Sequence, residues 1–372
     1  MSQDPRLTPL AATLPASVPF VGPETQERAR GALFQARLGA NENGFGPSPS
    51  VIAAMQSAAQ DVWKYGDPEN HDLVSALSAH LQIPVENIAI GEGIDGLLGL
   101  LVRLYASAGD AVVTSHGAYP TFNYHVAGFG AELHTVPYKD DHEDPVALIA
   151  KAREVGAKLV YFANPDNPMG SCHSAKVIER MIEDLPQGCL LLLDEAYVEF
   201  APDSSVPNVD PDDPRVVRLR TFSKAYGMAG ARVGYAISAR NVIAGFNKVR
   251  NHFGVGKLSQ AGATAAVGDQ AWLRETVEKV GAARNEIARI AADNGLTALR
   301  SATNFVAIDC GADGAFAKAV LEALIKRGIF VRMPFVPPLD RCIRVSCGQN
   351  EELAAFARAL PQALEEARAK EK

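Results

Sequence analysis

The segment TFSKAYGMAGARVGY at 221–235 sets a Ser-Lys pair directly after an apolar run and brings an Arg shortly after it. A lysine in a loop at a strand's C-terminal end sits where open α/β sheets bind ligands, and its amine can form a Schiff base with a carbonyl. Ser223 and Arg232 can both grip a phosphate, the Arg with two N–H arms. Taken alone, Lys224 also reads as one surface lysine among many. A second segment, LLLLDEAYVEF at 190–200, puts Asp194 at the end of a strand with the apolar character of a buried one. An ionised Asp there is costly unless something pairs it. A pyridinium nitrogen would do so, and Tyr197 could then donate to a phenolate oxygen on the same ring. A cap on the following turn is the simpler role for Asp194.

Four further segments bear on the same chemistry. IGEGIDGLLGLLV at 90–102 runs from a strand through a Gly-bearing turn into a helix, so Gly93, Ile94 and Asp95 would line a helix N-terminus suited to a phosphate. Glycine at such a turn is often only geometry. FANPDNPMG at 162–170 holds Asn167 before a proline, where its amide can reach the phenolate oxygen; Asn-Pro is also a common turn dipeptide. Tyr119 follows the strand at 111–115 and can stack on a flat ring or sit in a core. Arg344, in RCIRVSCG at 341–348, can hold a carboxylate with both N–H arms or form a surface ion pair. A Schiff-base lysine, an aspartate for a pyridinium nitrogen and a phosphate clamp together describe a pyridoxal-phosphate site.

The elements that must position these residues alternate along the chain. Strands are expected at 88–90, 111–115, 132–136, 158–162, 189–196 and 216–222, with helices at about 94–106, 119–128, 145–155 and 174–184. Nearly continuous apolar strands in βαβα order predict a mostly parallel sheet covered on both faces. Helices are also expected at 48–63 and 72–83, and one long helix over 258–293. A second α+β pattern follows, with strands at 304–309, 329–333 and 342–347 and helices at 314–327 and from 350 onward. The expected organisation is an α/β fold with an N-terminal arm (1–37), a large cofactor-binding domain (38–265) and a small α+β C-terminal domain (266–372). The acidic run DDHED at 140–144 reads as a solvated turn.

Composition narrows the function classes. The 372 residues are 47% hydrophobic and 21% charged, enough for a large core without disulfide or metal staples. Lys+Arg of 36 against Asp+Glu of 43 gives a net charge of −7, which argues against nucleic-acid or anionic-membrane partners. The five cysteines include no C-x-x-C pair, and the N-terminus lacks a signal-peptide pattern, so a reducing cytoplasm is expected. The apolar runs are too short to span a bilayer.

The ordered set LGANENGFGPSPS, KYGDPENHDL, FANPDNPMG, LLDEAYVEF, FSKAYGMAGARVGY and RVSCG resembles the fold-type I pyridoxal-phosphate aminotransferases of class I/II, and within them the histidinol-phosphate aminotransferase family. The resemblance runs from about Leu14 to the C-terminal helix. It implies a sheet of the seven-stranded type, pyridoxal 5′-phosphate as cofactor, and transamination between an amino donor and a 2-oxo acid such as 2-oxoglutarate. It further implies that Lys224 carries the Schiff base, Asp194 partners the ring nitrogen, and Asn167 and Tyr197 partner the ring oxygen. Tyr119 is the stacking aromatic, and Ile94, Asp95, Ser223 and Arg232 hold the phosphate. Tyr65 matches a residue that reaches the neighbouring subunit's cofactor phosphate, which implies a homodimer. Asn41 lies near the substrate, and Arg344 matches the carboxylate binder.

Three segments depart from the family pattern. The arm carries Phe20 where the family often has Tyr, NENGFG brings Phe45, and GIDG replaces Gly-Ser-Asp-Glu. Phe20 and Phe45 offer apolar faces and no donor, which leaves Arg332 as the remaining cation near Arg344. The expectation is a preference for an aromatic or imidazole side chain with no absolute requirement for a substrate phosphate. A decarboxylase or lyase on the same fold is the alternative, and a non-enzymatic cofactor-binding module is a further one.

Overall fold

The computed structural model describes residues 6–16 and 21–370. Among these residues twelve strands run in chain order: β1 (Ala36–Arg37), β2 (Ile88–Gly91), β3 (Ala111–Ser115), β4 (Glu132–Val136), β5 (Leu159–Ala163), β6 (Leu190–Asp194), β7 (Val216–Thr221), β8 (Gly234–Ile237), β9 (Thr297–Ala298), β10 (Phe305–Asp309), β11 (Ile329–Phe330) and β12 (Cys342–Ser346). Seven of them form one sheet in the order β2-β8-β7-β6-β5-β3-β4. Only β8 runs against its neighbours there. Residues of β5 and β6 are buried on both faces, which is why their sequences are unbroken apolar runs. The strand pattern does not single out β8: four residues, Gly-Tyr-Ala-Ile, carry too little periodicity, and pairing on both edges makes it a strand.

The chain steps outward through β3 to the edge strand β4, then returns through β5, β6 and β7. The carboxyl ends of β2, β3, β5, β6 and β7 therefore open on one side of the sheet, as they do in open α/β folds that bind ligands there. A separate antiparallel sheet, β12-β10-β9, packs with the helices Gly314–Lys326 and Gln270–Asp293. The short β1 pairs in parallel with β11 and ties the N-terminal segment to this region.

Two expectations are corrected. The single helix over 258–293 is two, Lys257–Gly268 and Gln270–Asp293, divided at Asp269, whose carboxylate accepts the Trp272 N–H and caps the second. The run at 140–144 is not a solvated turn. Glu143 is buried, with its carboxyl accepting from the Ser115 hydroxyl at 2.6 Å and the Ala163 N–H at 2.8 Å, and Asp144 caps the helix Pro145–Val155. Burial raises the Glu143 carboxyl well above the usual carboxylate range. Charge density in sequence could not reveal this, because the partners that satisfy Glu143 lie on β3 and β5. All five cysteines are free, and no helix among the described residues is long and apolar enough to cross a membrane.

Candidate active site

A cavity of about 320 Å³ lies at the carboxyl ends of the strands. Its lining includes Ile94, Asp95, Tyr119, Asn167, Asp194, Tyr197, Ser223, Lys224 and Arg232, so residues from five separate segments of the sequence meet in one place. Lys224 follows β7 in a tight loop. Its Nζ donates to the Asn41 carbonyl at 3.2 Å and sits 5.5 Å from the centre of the Tyr197 ring. The loop is tied down from outside, since Asn43 Nδ2 donates to the carbonyls of Lys224 and Ala225, each at 3.1 Å.

Asp194 ends β6 and is buried. One carboxyl oxygen accepts the Tyr161 hydroxyl at 2.7 Å and the other the Ala196 N–H at 2.9 Å. Burial pushes its carboxyl up to about 6. The Ala196 bond is a local turn contact of the kind a capping Asp makes, yet no helix begins at that point beyond a three-residue turn, and the other oxygen accepts from the Tyr161 hydroxyl. Tyr197 accepts from Asn41 Nδ2 at 3.1 Å, which leaves its own hydroxyl proton for another acceptor. Arg344 Nη1 donates to Asn167 Oδ1 at 2.5 Å, which leaves the Asn167 NH2 unengaged. Tyr119 donates to Asp95 at 2.9 Å, and burial pushes its phenol above its ordinary range.

At one end of the cavity the helix Gly93–Tyr105 begins with no side-chain cap on its first N–H groups. Arg232 stands beside it, donating to Ser223 Oγ at 3.2 Å and lying 3.6 Å from Asp95. Thr221 donates to the same Ser223 oxygen at 2.9 Å. Gly93, at φ +76°, has a backbone few other residues adopt, and a Cβ there would meet Arg232 Nη2 at 2.6 Å. Free helix N–H groups, an Arg and two hydroxyls form a donor set fitted to a phosphate. A buried carboxylate with no cation partner among the described residues, lining the same cavity as these donors, fits a protonated ring nitrogen. The residues present thus suit pyridoxal phosphate.

The remaining sequence-selected residues fall outside this lining. Arg344 reaches it through Asn167, and its guanidinium stacks 5.0 Å from the Phe305 ring. Among the described residues no carboxylate pairs with it, so the surface ion pair considered for it is not seen, and burial lowers its guanidinium to about 10. Arg332 is joined to Arg344 through a backbone bridge, and its Nη2 donates to the Val21 carbonyl at 2.6 Å. Phe45 lines a different groove with Lys279, Ala283 and Gly348, and Phe20 lies outside the described residues. Tyr65 is 81% exposed and packs 4.8 Å from the Phe253 ring, away from this cavity.

Sequence reasoning missed several supports. Tyr161 looked like an ordinary apolar strand residue. Asn304 donates to the Asn41 carbonyl at 3.1 Å, and Ser346 Oγ donates to Asn41 Oδ1 at 3.2 Å and accepts the Asn41 N–H. Asn41 itself adopts φ +55°. A lone Asn and Ser in an apolar α+β stretch carry no visible signal of this.

The chain is similar to known proteins. The family described as "Aminotransferase class I and II" matches residues 35–360. The chain is 35% identical over 355 residues to a histidinol-phosphate aminotransferase of Roseiflexus castenholzii, covering 93% of this chain and 95% of that protein. It is 31% identical over 345 residues to that of Moorella thermoacetica, covering 92% and 88%. A crystal structure of histidinol-phosphate aminotransferase from Sinorhizobium meliloti in complex with pyridoxal-5′-phosphate superposes with a TM-score of 0.95 at 53% identity, covering 98% of this chain and 99% of that one. The cavity at the strand ends is therefore set in a chain that belongs to the class I and II aminotransferase family.

Proposed function

We propose that this chain uses pyridoxal phosphate to transfer the amino group of histidinol phosphate to a 2-oxo acid such as 2-oxoglutarate. The observation that carries the donor is the pair Arg332 and Arg344. The two are bridged through their backbones and Arg344 reaches the cavity lining through Asn167; neither is in an ion pair among the described residues, and each has a buried Nε without a partner. A dianionic phosphate leaving water requires several charge-assisted donors, and two unpaired guanidiniums supply them. The aromatic preference drawn from Phe20 and Phe45 has less support, since Phe45 lines another groove. The names of the relatives favour the same donor.

Pyridoxal phosphate, when bound, supplies a carbonyl for the donor's amine and a ring that accepts electrons from its Cα. The chain's residues do the rest. Lys224 Nζ would anchor the cofactor covalently and, as a free amine, would be the base that takes the proton from the donor's Cα. Asn41 holds that amine in reach through its carbonyl. Asp194 keeps a charged ring nitrogen paired. Tyr197 and Asn167 offer O–H and N–H to the ring oxygen, and Tyr119 covers a ring face. The helix start at Ile94 and Asp95, with Ser223 and Arg232, holds the cofactor phosphate. Tyr65, on the surface of one chain, completes the phosphate site of a second copy, so the active unit is a homodimer.

The test is kcat/KM with 2-oxoglutarate for histidinol phosphate against phenylalanine, with carbon dioxide release monitored. Histidinol phosphate should win by about 10²-fold or more, and Arg332→Ala should erase most of that margin. Equal use of phenylalanine would overturn the proposed donor. Stoichiometric carbon dioxide release without amino transfer would make the protein a lyase.

A further inference from the structure

We propose that Tyr161 is a positioning residue of the cofactor site, its hydroxyl fixing one oxygen of Asp194 so that the carboxylate stays ionised and aimed at the ring nitrogen. The inference rests on the role given to Asp194 above. Tyr161 is fully buried in the middle of β5, stacked on Phe122 with ring centres 5.0 Å apart and planes 16° from parallel. In the β5/β6 register Tyr161 lies opposite Leu192 and Ala163 opposite Asp194. Alternation along the strands puts Tyr161 on the same sheet face as Asp194, and both line the cavity.

Asp194 has no cationic side chain within ion-pair distance among the described residues. Its ionised form rests on two neutral donors, and Tyr161 is the only side chain of the two. A hydrogen bond to the charged form favours that form. The charged and titratable groups around Asp194 mostly work the other way. Asp95 opposes its charge, Glu143 is a further buried carboxyl nearby, and Tyr119 offers no cation; Lys224 alone assists. Burial already lifts the Asp194 carboxyl to about 6, so losing the Tyr161 hydroxyl would carry it toward neutrality at the pH of the reaction. A protonated Asp194 cannot pair a charged ring nitrogen. Phenylalanine at 161 would keep the stacked ring and lose only the oxygen.

The experiment titrates cofactor-free wild type and Tyr161→Phe with pyridoxal phosphate from pH 5.5 to 9 and follows fluorescence quenching. Tyr161→Phe should bind on the order of tenfold more weakly near pH 6, with the difference closing by pH 9, because one pKa unit is a tenfold effect. In the holoenzyme kcat should fall about 10- to 100-fold while KM for the amino donor changes less than about threefold. Should Tyr161→Phe fail to fold, 3-fluorotyrosine at 161, a stronger donor, should displace the binding curve to lower pH. Binding curves that superimpose, or weakening that is uniform at every pH, would overturn the inference while leaving the function intact. A wild type that does not bind pyridoxal phosphate would overturn both.

Discussion

At residue scale, Asp194 holds its place against folding stability. Its carboxyl stands at about 6 in the folded protein against an ordinary 3.8, because it is buried. A raised folded value means that the stability it permits is full below about pH 4 and is lost as pH rises through 6. At pH 8 the ionised, cofactor-free protein carries a penalty of about 2–3 kcal/mol from this group. Asp194→Asn should therefore raise the denaturation midpoint of cofactor-free protein at pH 8 and raise it about half as much at pH 5, while transamination falls by several orders of magnitude. Urea unfolding at both pH values, at fixed protein concentration, checks the first part. Lys224→Ala should lower turnover by more than about 10³-fold yet keep the phosphate donors. Borohydride treatment should then fix no cofactor to the protein, and a retained adduct would show that another amine is the anchor.

At the scale of elements, the loop carrying Lys224 depends on one close approach. Gly227 has φ +69°, and a Cβ on it would run into the backbone of Gly46 and Pro47. Both the conformation and the contact exclude a side chain. Gly227→Ala should cost about 2–4 kcal/mol of stability, or else push the 38–50 segment off the lysine loop and weaken the Asn43 bonds to Lys224 and Ala225. Thermal unfolding together with cofactor affinity separates these outcomes, and a variant normal in both would refute the packing account. The carboxyl end of β6 is braced from its other side too. Glu195 is buried and paired with Arg218 at 2.9 Å and Arg220 at 2.7 Å, which holds its carboxyl below the usual range despite burial. Removing that charge by Glu195→Gln leaves two arginines facing each other and should destabilise by about 3–5 kcal/mol, read as a lower urea midpoint.

At the scale of the molecule, Val62, Trp63, Tyr65 and Phe253 are large, exposed and apolar or aromatic, with Trp63 at 78% and Tyr65 at 81% exposure. An isolated chain gains nothing from a Trp and a Tyr left in water next to Phe253. We propose that a second copy covers them, which would bring Tyr65 to the site where the sequence resemblance sets it. Sedimentation should give a dimer. Trp63→Asp should shift it toward monomer with parallel loss of activity, and Tyr65→Phe should stay dimeric while binding pyridoxal phosphate more weakly, by about 1–3 kcal/mol for a hydrogen bond to a charged group. A fully active monomer would refute the shared site.

The sequence by itself determined the strand ends and what stands on them. Asp194, Asn167 and Lys224 each follow an apolar run by a few residues, and such runs are legible because buried parallel strands need them. Helix starts at Pro49, Pro120 and Pro145 were legible for a similarly local reason, since proline at the first turn marks them. Only the tertiary structure decided the supporting contacts. Asn41 is bonded to Ser346 and Asn304 across more than 260 residues of chain, Tyr161 meets Asp194 across a strand pair, and Glu143 finds Ser115 and Ala163 on two different strands. A polar side chain reads as exposed until its partner is known, because its burial is tolerable only once that partner is in place. The same holds for Arg332, Arg344 and Phe45. Their residue types suggested what they could bind; the fold sets Arg344 on Asn167, Arg332 on the Val21 carbonyl and Phe45 in a separate groove.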